Sequence, residues 1–240
     1  MSYVDTVLEC VWPAFDLPGI REHPQDFATY SGFSFNDLPH VPDVLEDDFV
    51  WLDKEPIRDE DAISFMEDPN SDLSVAEKVE MVIAITRYPL PRSFRYFITH
   101  PDLHRRIRSC TACYLELPNF LVETTQGEPG CLIHFLSDQQ WCLHWYLYVN
   151  EHGEERVLCS PSDYGFYSAS ERDEAGLDAL SASDVAVKVT GMELGICARS
   201  FSEFVYRFWL ENELWWALSE GEELTPTLRR YADQYAPRVL

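Results

Sequence analysis

The sequence predicts an α+β fold in which short strands form a sheet and helices pack against it. Residues 130–160 provide the first observation, because polar, turn-forming residues there separate three short apolar runs, as in a β-meander. Residues 201–216 provide the second, because their aromatic side chains recur at helical spacing and predict a long helix across the sheet. Both faces of the predicted meander are largely apolar, so we expect the sheet to be covered on both sides.

The register of the meander follows from its first connection. The three strands are predicted over residues 131–136, 141–149 and 156–159. If the first connection closes directly, Leu136 lies opposite Trp141 and His134 lies opposite Leu143. One face then carries Leu132, His134, Leu136, Trp141, Leu143 and Trp145. The other face carries Cys131, Ile133, Phe135, Cys142, His144, Tyr146 and Tyr148.

Capping and proline signals mark the remaining elements. Helices are predicted to begin at Ser74 with Glu77, at Leu90-Pro91, at Pro101, at Ser200 with Glu203, and at Thr225-Pro226. Gly221 is placed to end the fourth of these. Further strands are predicted within residues 112–123, at 185–189 as an edge strand, and at 194–198.

Residues 1–70 form a predicted acidic, proline-rich N-terminal extension, and residues 71–240 form the main domain. Seven of the 15 prolines fall in the extension, which excludes long helices and central strands there. The extension also contains nine aromatic residues, which is too many for a disordered tail, because disordered segments have few large apolar side chains to bury. We therefore expect an irregular acidic wrap packed on the domain.

The net charge is strongly negative, with 42 acidic and 18 basic residues giving a formal charge of -24. Such a chain repels phosphate backbones and anionic lipid surfaces, so neither nucleic acid nor membrane is an expected partner. The same field attracts a basic protein partner. A charge that serves only solubility is the alternative interpretation.

The cellular compartment is predicted from cysteine usage and apolar runs. Seven scattered cysteines, an odd number, favour a reducing cytoplasm. The N-terminus lacks a basic region followed by an apolar core, and no apolar run approaches the roughly 20 residues that span a bilayer. We expect a cytoplasmic protein.

Six arginines stand out between residues 87 and 108 of this acidic chain, namely Arg87, Arg92, Arg95, Arg105, Arg106 and Arg108. Charge complementarity predicts that they pair internally with the acidic N-terminal wrap.

Two patterns offer metal or nucleophile chemistry, and neither is strong. One is the sequence H-x3-H followed by C-x2-C, formed by His100, His104, Cys110 and Cys113, which contains zinc-type elements at an unusual spacing. The other is Cys142 with His144, which share a face by strand parity. Buried thiols, surface histidines and core packing explain both patterns without function. The sequence therefore predicts no catalytic residues, no metal and no cofactor.

Three stretches of the chain resemble the SUKH superfamily of cell-wall-assembly regulators and bacterial toxin-immunity proteins. They are LPRSFRYFITHPDLHRRIRSCTACYLEL, then LIHFLSDQQWCLHWYLYV with RVLCS, then ICARSFSEFVYRFWLENELWWAL. The resemblance covers about residues 75–220 and departs from the family at His100-Pro101, where relatives often have a glycine pair.

The resemblance implies a single domain with a bent antiparallel sheet of about six strands packed by helices. It also implies protein binding instead of catalysis, as in an immunity protein that neutralises a basic toxin such as a nuclease. The candidate contacts are Asp43, Glu46, Asp47, Asp48, Asp59, Glu60 and Asp61. A regulatory or scaffold adaptor is the alternative, and a zinc or cysteine hydrolase is a more distant one.

Overall fold

The computed structural model describes residues 9–22, 29–42, 47–58, 60–66, 73–117, 121–124, 129–164, 186–189 and 193–235. Within these residues the chain forms a single α+β domain of nine strands and five α-helices, which confirms the predicted fold class.

The strands join in one sheet in the order β2-β1-β9-β7-β6-β5-β4-β8, while β3 pairs with β5. Their bounds are β1 Glu9–Ala14, β2 Ser31–Ser34, β3 Tyr114–Leu115, β4 Leu121–Thr124, β5 Gly130–Ser137, β6 His144–Asn150, β7 Glu155–Ser160, β8 Ala186–Val189 and β9 Gly195–Ala198. The sheet is larger than expected and is mixed, because β1 runs parallel to β9 and β4 runs parallel to β8. Both pairs join strands far apart in sequence, so no short hairpin forces them to be antiparallel. As predicted, β8 lies at an edge.

The meander forms from β5, β6 and β7, but the predicted register of its first hairpin is wrong. Leu136 lies opposite Trp145, and His134 lies opposite Tyr146. The cause is the connection over residues 138–143, which forms a closed loop in which the Asp138 amide donates to the Leu143 carbonyl at 3.0 Å. The partner differs from the predicted one by four residues at Leu136 and by three at His134, and the odd shift, which follows from a bulge between the two, exchanges the faces of β5 before it.

The corrected register sorts the meander into two buried faces. The face toward the main core carries Cys131, Ile133, Phe135, Leu136, Trp145, Leu147 and Val149. The opposite face carries Leu132, Tyr146 and Tyr148, which pack with Tyr164 and Ile196 in a smaller cluster. Every residue of β5 and β6 is buried, so the prediction of a sheet covered on both sides is confirmed.

The helices begin near their predicted signals. Their bounds are α1 Val75–Ile85, α2 Arg92–Thr99, α3 Pro101–His104, α4 Phe201–Glu220 and α5 Pro226–Asp233. Ser74 and Glu77 form the predicted capping box, and Ser200 accepts a hydrogen bond from the Glu203 amide at 3.1 Å. Gly221 ends α4 in the left-handed region, at φ 69. Among the helices of the described residues, none combines the length and apolar composition needed to cross a lipid bilayer.

Helix α4 packs on the core face of the sheet through its aromatic side chains. Phe204 lies 5.4 Å from Phe135 and 6.0 Å from Trp12 between ring centroids, so the N-terminal residues enter the same core. Burial of each such side chain contributes about 1.5 to 3 kcal/mol. The described N-terminal residues thus supply β1, β2 and core aromatics, while the domain boundary near residue 70 stays a prediction.

Two of the arginines of residues 87–108 pair with acidic residues on different parts of the chain. Arg106 lies 4.0 Å from Asp53 of the N-terminal segment, as predicted. Arg108 instead makes two hydrogen bonds, of 3.0 and 2.8 Å, to the carboxylate of Glu213 on α4. This second pairing was not predicted, because helical periodicity does not show which polar residue of a buried helix faces a distant arginine.

Candidate functional site

The predicted acidic contacts fall at two separate places on the described surface. Asp43, Glu46 and Asp59 lie outside the described residues. Asp47 is exposed, Asp48 is half-buried, and Glu60 and Asp61 are exposed.

Asp47 lies beside the first turn of α4, whereas Asp61 lies beside a later turn of the same helix. Asp47 accepts a hydrogen bond from Ser202, in the first turn of the helix, at 3.4 Å. The Asp61 carbonyl accepts from the Ser109 amide at 2.8 Å, and the next amide, of Cys110, donates to Asn212 of α4. Ten helical residues span about 15 Å. The described members therefore form two acidic groups instead of one continuous patch.

Asp47 also lines a cleft of about 530 Å³ at the start of α4. Glu155, Glu203, Arg199 and Arg207 contribute the other charged side chains of this cleft. Arg207 is buried and lies 3.7 Å from Glu203, whereas Arg199 is exposed and lies over the Phe35 ring. Asp47 and Glu155 are the carboxylates of the cleft that lie outside the Arg207–Glu203 pair.

Glu155 is the unusual carboxylate of this cleft. Burial raises the pKa of Glu155 to about 7. A hydrogen bond from the Phe201 backbone lowers this pKa, and the nearby charge of Asp47 raises it. Its Oε2 atom is buried and has no hydrogen-bond partner within the described residues. A buried carboxylate oxygen without a donor is a place where an added cation would be stabilised.

The zinc-type histidines and cysteines do not converge on a common point. The ring of the buried His104 contacts the Phe97 carbonyl at 2.7 Å, and the ring of the exposed His100 contacts the Tyr96 carbonyl at 2.6 Å. Burial raises the pKa of the Cys113 thiol to about 11 and raises that of Cys110 further, so both remain protonated. The four residues are absent from the metal-ligand groupings of the described chain.

Cys142 and His144 do not form a nucleophile and base. Cys142 lies in the loop before β6, where its amide and thiol both contact Asp138. Partial burial and the charge of Asp138 raise the pKa of this thiol to about 11, which opposes formation of a thiolate nucleophile. His144 faces Ser137 instead, at 2.8 Å.

A polar cluster that the sequence interpretation missed surrounds Ser137. The Ser137 hydroxyl lies 2.5 Å from Glu116 Oε1, 2.8 Å from His144 Nδ1 and 2.9 Å from His134 Nε2. Asp163 lies beside it, with its Oδ1 atom 3.9 Å from His134 Nδ1. Ser137 and both histidines are almost completely buried, whereas Glu116 and Asp163 are partly exposed.

Three strands and one bulge assemble the Ser137 cluster. Ser137 ends β5 and lies opposite Tyr114 of β3 and His144 of β6, while Glu116 follows β3 directly. Regular alternation would place His134 and Ser137 on opposite faces of β5. The pairing of β5 with β6 shifts between His134 and Leu136, and this bulge returns both side chains to one face.

Burial controls the protonation of the Ser137 cluster. It lowers the pKa of His134 to about 4 and also lowers that of His144, which the neighbouring His134 lowers further. Burial also raises the pKa of Glu116, although the hydrogen bond from Ser137 lowers it. Both imidazoles are therefore neutral at neutral pH.

The Ser137 cluster resembles a serine–histidine–acid triad in connectivity only. Ser137 is completely buried and its hydroxyl donates to the Glu116 carboxylate, so its oxygen is not accessible to a substrate. A nucleophile must reach a substrate carbonyl and needs donors for the developing oxyanion. Two imidazole nitrogens and a carboxylate oxygen are instead the donor set of a transition-metal site.

No protein-family model matches this chain, and neither a curated protein nor a solved structure shows significant similarity to it. The fold therefore defines the chain as an α+β domain, and its resemblance to the SUKH superfamily stays a prediction.

Proposed function

We propose that this chain is a non-enzymatic protein-binding domain that uses its negative surface to engage a basic protein. By its resemblance to the SUKH superfamily, the particular form is a cytoplasmic immunity protein that neutralises a basic toxin such as a nuclease. The observation that supports the proposal most directly is the cleft containing Asp47 and Glu155, where a buried carboxylate oxygen has no donor among the residues that the structure describes.

The distribution of charge supports the proposal at longer range. Arg21 and Arg108 are buried and paired with Glu211 and Glu213, so these charges neutralise one another inside the molecule. These pairs therefore contribute nothing to the net charge of -24, which other residues of the chain carry. A surface of one sign raises the association rate with an oppositely charged partner, and salt weakens that attraction.

An arginine or lysine of the partner, placed between Asp47 and Glu155, would stabilise the ionised form of Glu155. The pKa of Glu155, about 7 in the free protein, would fall in the complex. Binding would then release a proton, so affinity should rise by at most tenfold per pH unit as pH increases toward about 7, and level off above it. The variant Glu155→Gln, which cannot ionise at this position, should lose this part of the pH dependence of affinity.

The direct test measures binding to, and growth rescue from, the toxin encoded by the adjacent gene. The triple variant Asp47→Asn, Glu60→Gln, Asp61→Asn removes three exposed charges, and asparagine tolerates the φ of 60 at position 61. We expect its affinity to fall by about tenfold or more at low salt. The matched control is Glu80→Gln, Glu151→Gln, Glu223→Gln, which removes the same charge from other exposed sites and should change affinity much less.

Equal affinity of the two triple variants, with unchanged growth rescue, would refute these contacts. Binding that barely changes between low and high salt would indicate the alternative, a regulatory or scaffold adaptor whose charge serves only solubility.

A further inference from the structure

We propose that Glu116, His134 and His144 form a binding site for one divalent metal ion of the zinc type. This site lies on the sheet face opposite α4 and is independent of the acidic contacts proposed for a protein partner. Among the histidine, cysteine and carboxylate side chains of the described residues, these three lie close enough together to hold one ion.

The three donor atoms lie close enough together to share one small metal ion. All three donor atoms lie within 4.8 Å of one another, and Glu116 Oε1 lies 3.1 Å from His134 Nε2. Metal–ligand bonds of about 2.0 to 2.1 Å give neighbouring ligands separations of about 3.0 to 3.4 Å. The Ser137 oxygen lies 2.5 to 2.9 Å from each donor, which is closer than neighbouring ligands of one ion lie. An ion bound by the three donors therefore requires the Ser137 hydroxyl to move outward, where it could become a fourth ligand.

The protonation of the donors also suits a cation. A metal ion binds neutral imidazole and ionised carboxylate, and the burial that lowers the pKa of both histidines leaves them neutral. Binding of a cation would favour the ionised form of Glu116, whose pKa burial now raises. The partial exposure of Glu116 gives the site an approach from solvent.

Asp163 lies on the side of His134 where metal-binding histidines usually have an outer contact, at a distance longer than a hydrogen bond. Its Oδ1 atom lies 3.9 Å from His134 Nδ1, the ring nitrogen that faces away from the Ser137 cluster. When Nε2 coordinates an ion, the remaining ring proton lies on Nδ1, and a carboxylate there holds the ring in orientation. Asp163 is thus a positioning residue for the proposed site.

The competing explanation is a closed network of protons without an ion. In it the Ser137 hydroxyl donates to Glu116, while His134 and His144 each donate a ring N–H to the Ser137 oxygen. Such a network satisfies these buried groups. The two explanations differ in what Glu116→Gln does, since glutamine still accepts from Ser137 but is a poor metal ligand.

The experiment titrates chelator-treated full-length protein with Zn²⁺ by calorimetry and records the visible absorption of the Co²⁺ form. We expect one ion per chain, with affinity lowered at least tenfold in Glu116→Gln and about tenfold in Asp163→Asn. The matched control replaces the exposed histidines, as His100→Gln and His152→Gln, and should bind like the unmodified protein. Thermal unfolding of each metal-free variant shows whether it retains the fold.

Three results would overturn the proposal. The first is the lack of stoichiometric Zn²⁺ binding by the unmodified protein. The second is unchanged affinity in both Glu116→Gln and Asp163→Asn. The third is a thiolate-to-Co²⁺ charge-transfer band, which would place the ion on cysteines instead. If Glu116→Gln fails to fold, the Zn²⁺ affinity of Asp163→Asn alone tests the proposal, because Asp163 is not one of the three donor residues.

Discussion

At the scale of single residues, one buried carboxylate joins three distant parts of the chain. Glu211 of α4 accepts hydrogen bonds from Trp12 and Arg21 of the N-terminal segment and from Tyr231 and Tyr235 near the C-terminus. Burial of Glu211 raises its pKa. The charge of Arg21 and the hydrogen bonds from Arg21, Trp12 and Tyr235 outweigh that effect and lower the pKa to about 2. This one carboxylate therefore links β1 and the segment after it to α5 through α4.

We predict that Glu211→Gln lowers the free energy of unfolding by about 3 to 5 kcal/mol, because it leaves the buried Arg21 charge uncompensated. The control Glu223→Gln, at an exposed site, should change it by less than about 0.5 kcal/mol. Urea unfolding at neutral pH measures both. A loss below about 1 kcal/mol in Glu211→Gln would contradict the importance of this pair.

The pH dependence has a definite sign. The folded-state pKa of Glu211 lies below the usual value of 4.5, so its stabilisation is complete above about 4.5 and is lost as pH falls toward 2. Glu211→Gln should therefore show a flatter dependence of stability on pH within that window.

At the scale of elements, the packing of β5 against β6 requires a glycine at the start of β5. Gly130 lies opposite Asn150, and a Cβ atom there would overlap the Tyr148 ring and lie 2.7 Å from the Val149 carbonyl oxygen. Gly221, at the end of α4, differs because a Cβ there meets no atom within 4 Å, although its φ of 69 is unfavourable for most side chains. One glycine is required by space and the other by backbone conformation.

We predict that Gly130→Ala costs about 1 to 3 kcal/mol through overpacking, and that Gly221→Ala costs about 1 kcal/mol through backbone strain. Asparagine separates the two causes, because it tolerates the left-handed region. Gly221→Asn should be milder than Gly221→Ala, whereas Gly130→Asn should be at least as harmful as Gly130→Ala. Thermal and urea unfolding measure the four variants, and a mild Gly130→Asn would show that the hairpin can adjust.

At the scale of the whole molecule, the charge that would attract a partner also destabilises the free protein. The chain carries a net charge of -24, and like charges held together in a compact fold repel one another. The unfolded chain spreads the same charges over a larger volume, so repulsion is stronger in the folded state.

We therefore predict that raising the salt concentration from about 0.01 to 0.5 M raises the melting temperature by about 3 to 6 °C, corresponding to about 1 to 2 kcal/mol. The rise should be smaller in the variant Glu80→Gln, Glu151→Gln, Glu223→Gln, which carries three fewer negative charges. A constant or falling melting temperature in a non-binding salt such as NaCl would show that repulsion is not significant.

The candidate sites were predictable from sequence only where a local signal existed. The acidic contacts follow from composition, and structure adds that Asp47 and Asp61 lie apart along α4. The Ser137 cluster had a weak signal, since His134, Ser137 and His144 are polar residues within apolar runs. Strand alternation and the assumed direct turn nevertheless placed the two histidines on opposite faces, and a bulge brought them together.

The sequence by itself determined the α+β class, most helix starts and the negative charge, because caps, periodicity and composition act within a few residues of each other. Only the tertiary structure decided the hairpin register, the parallel pairing of β1 with β9, and the partners of Glu211 and Ser137. These features join residues far apart in sequence or depend on one extra residue in a strand. Their free energies are set by which surfaces can be buried together, and no local pattern records that choice.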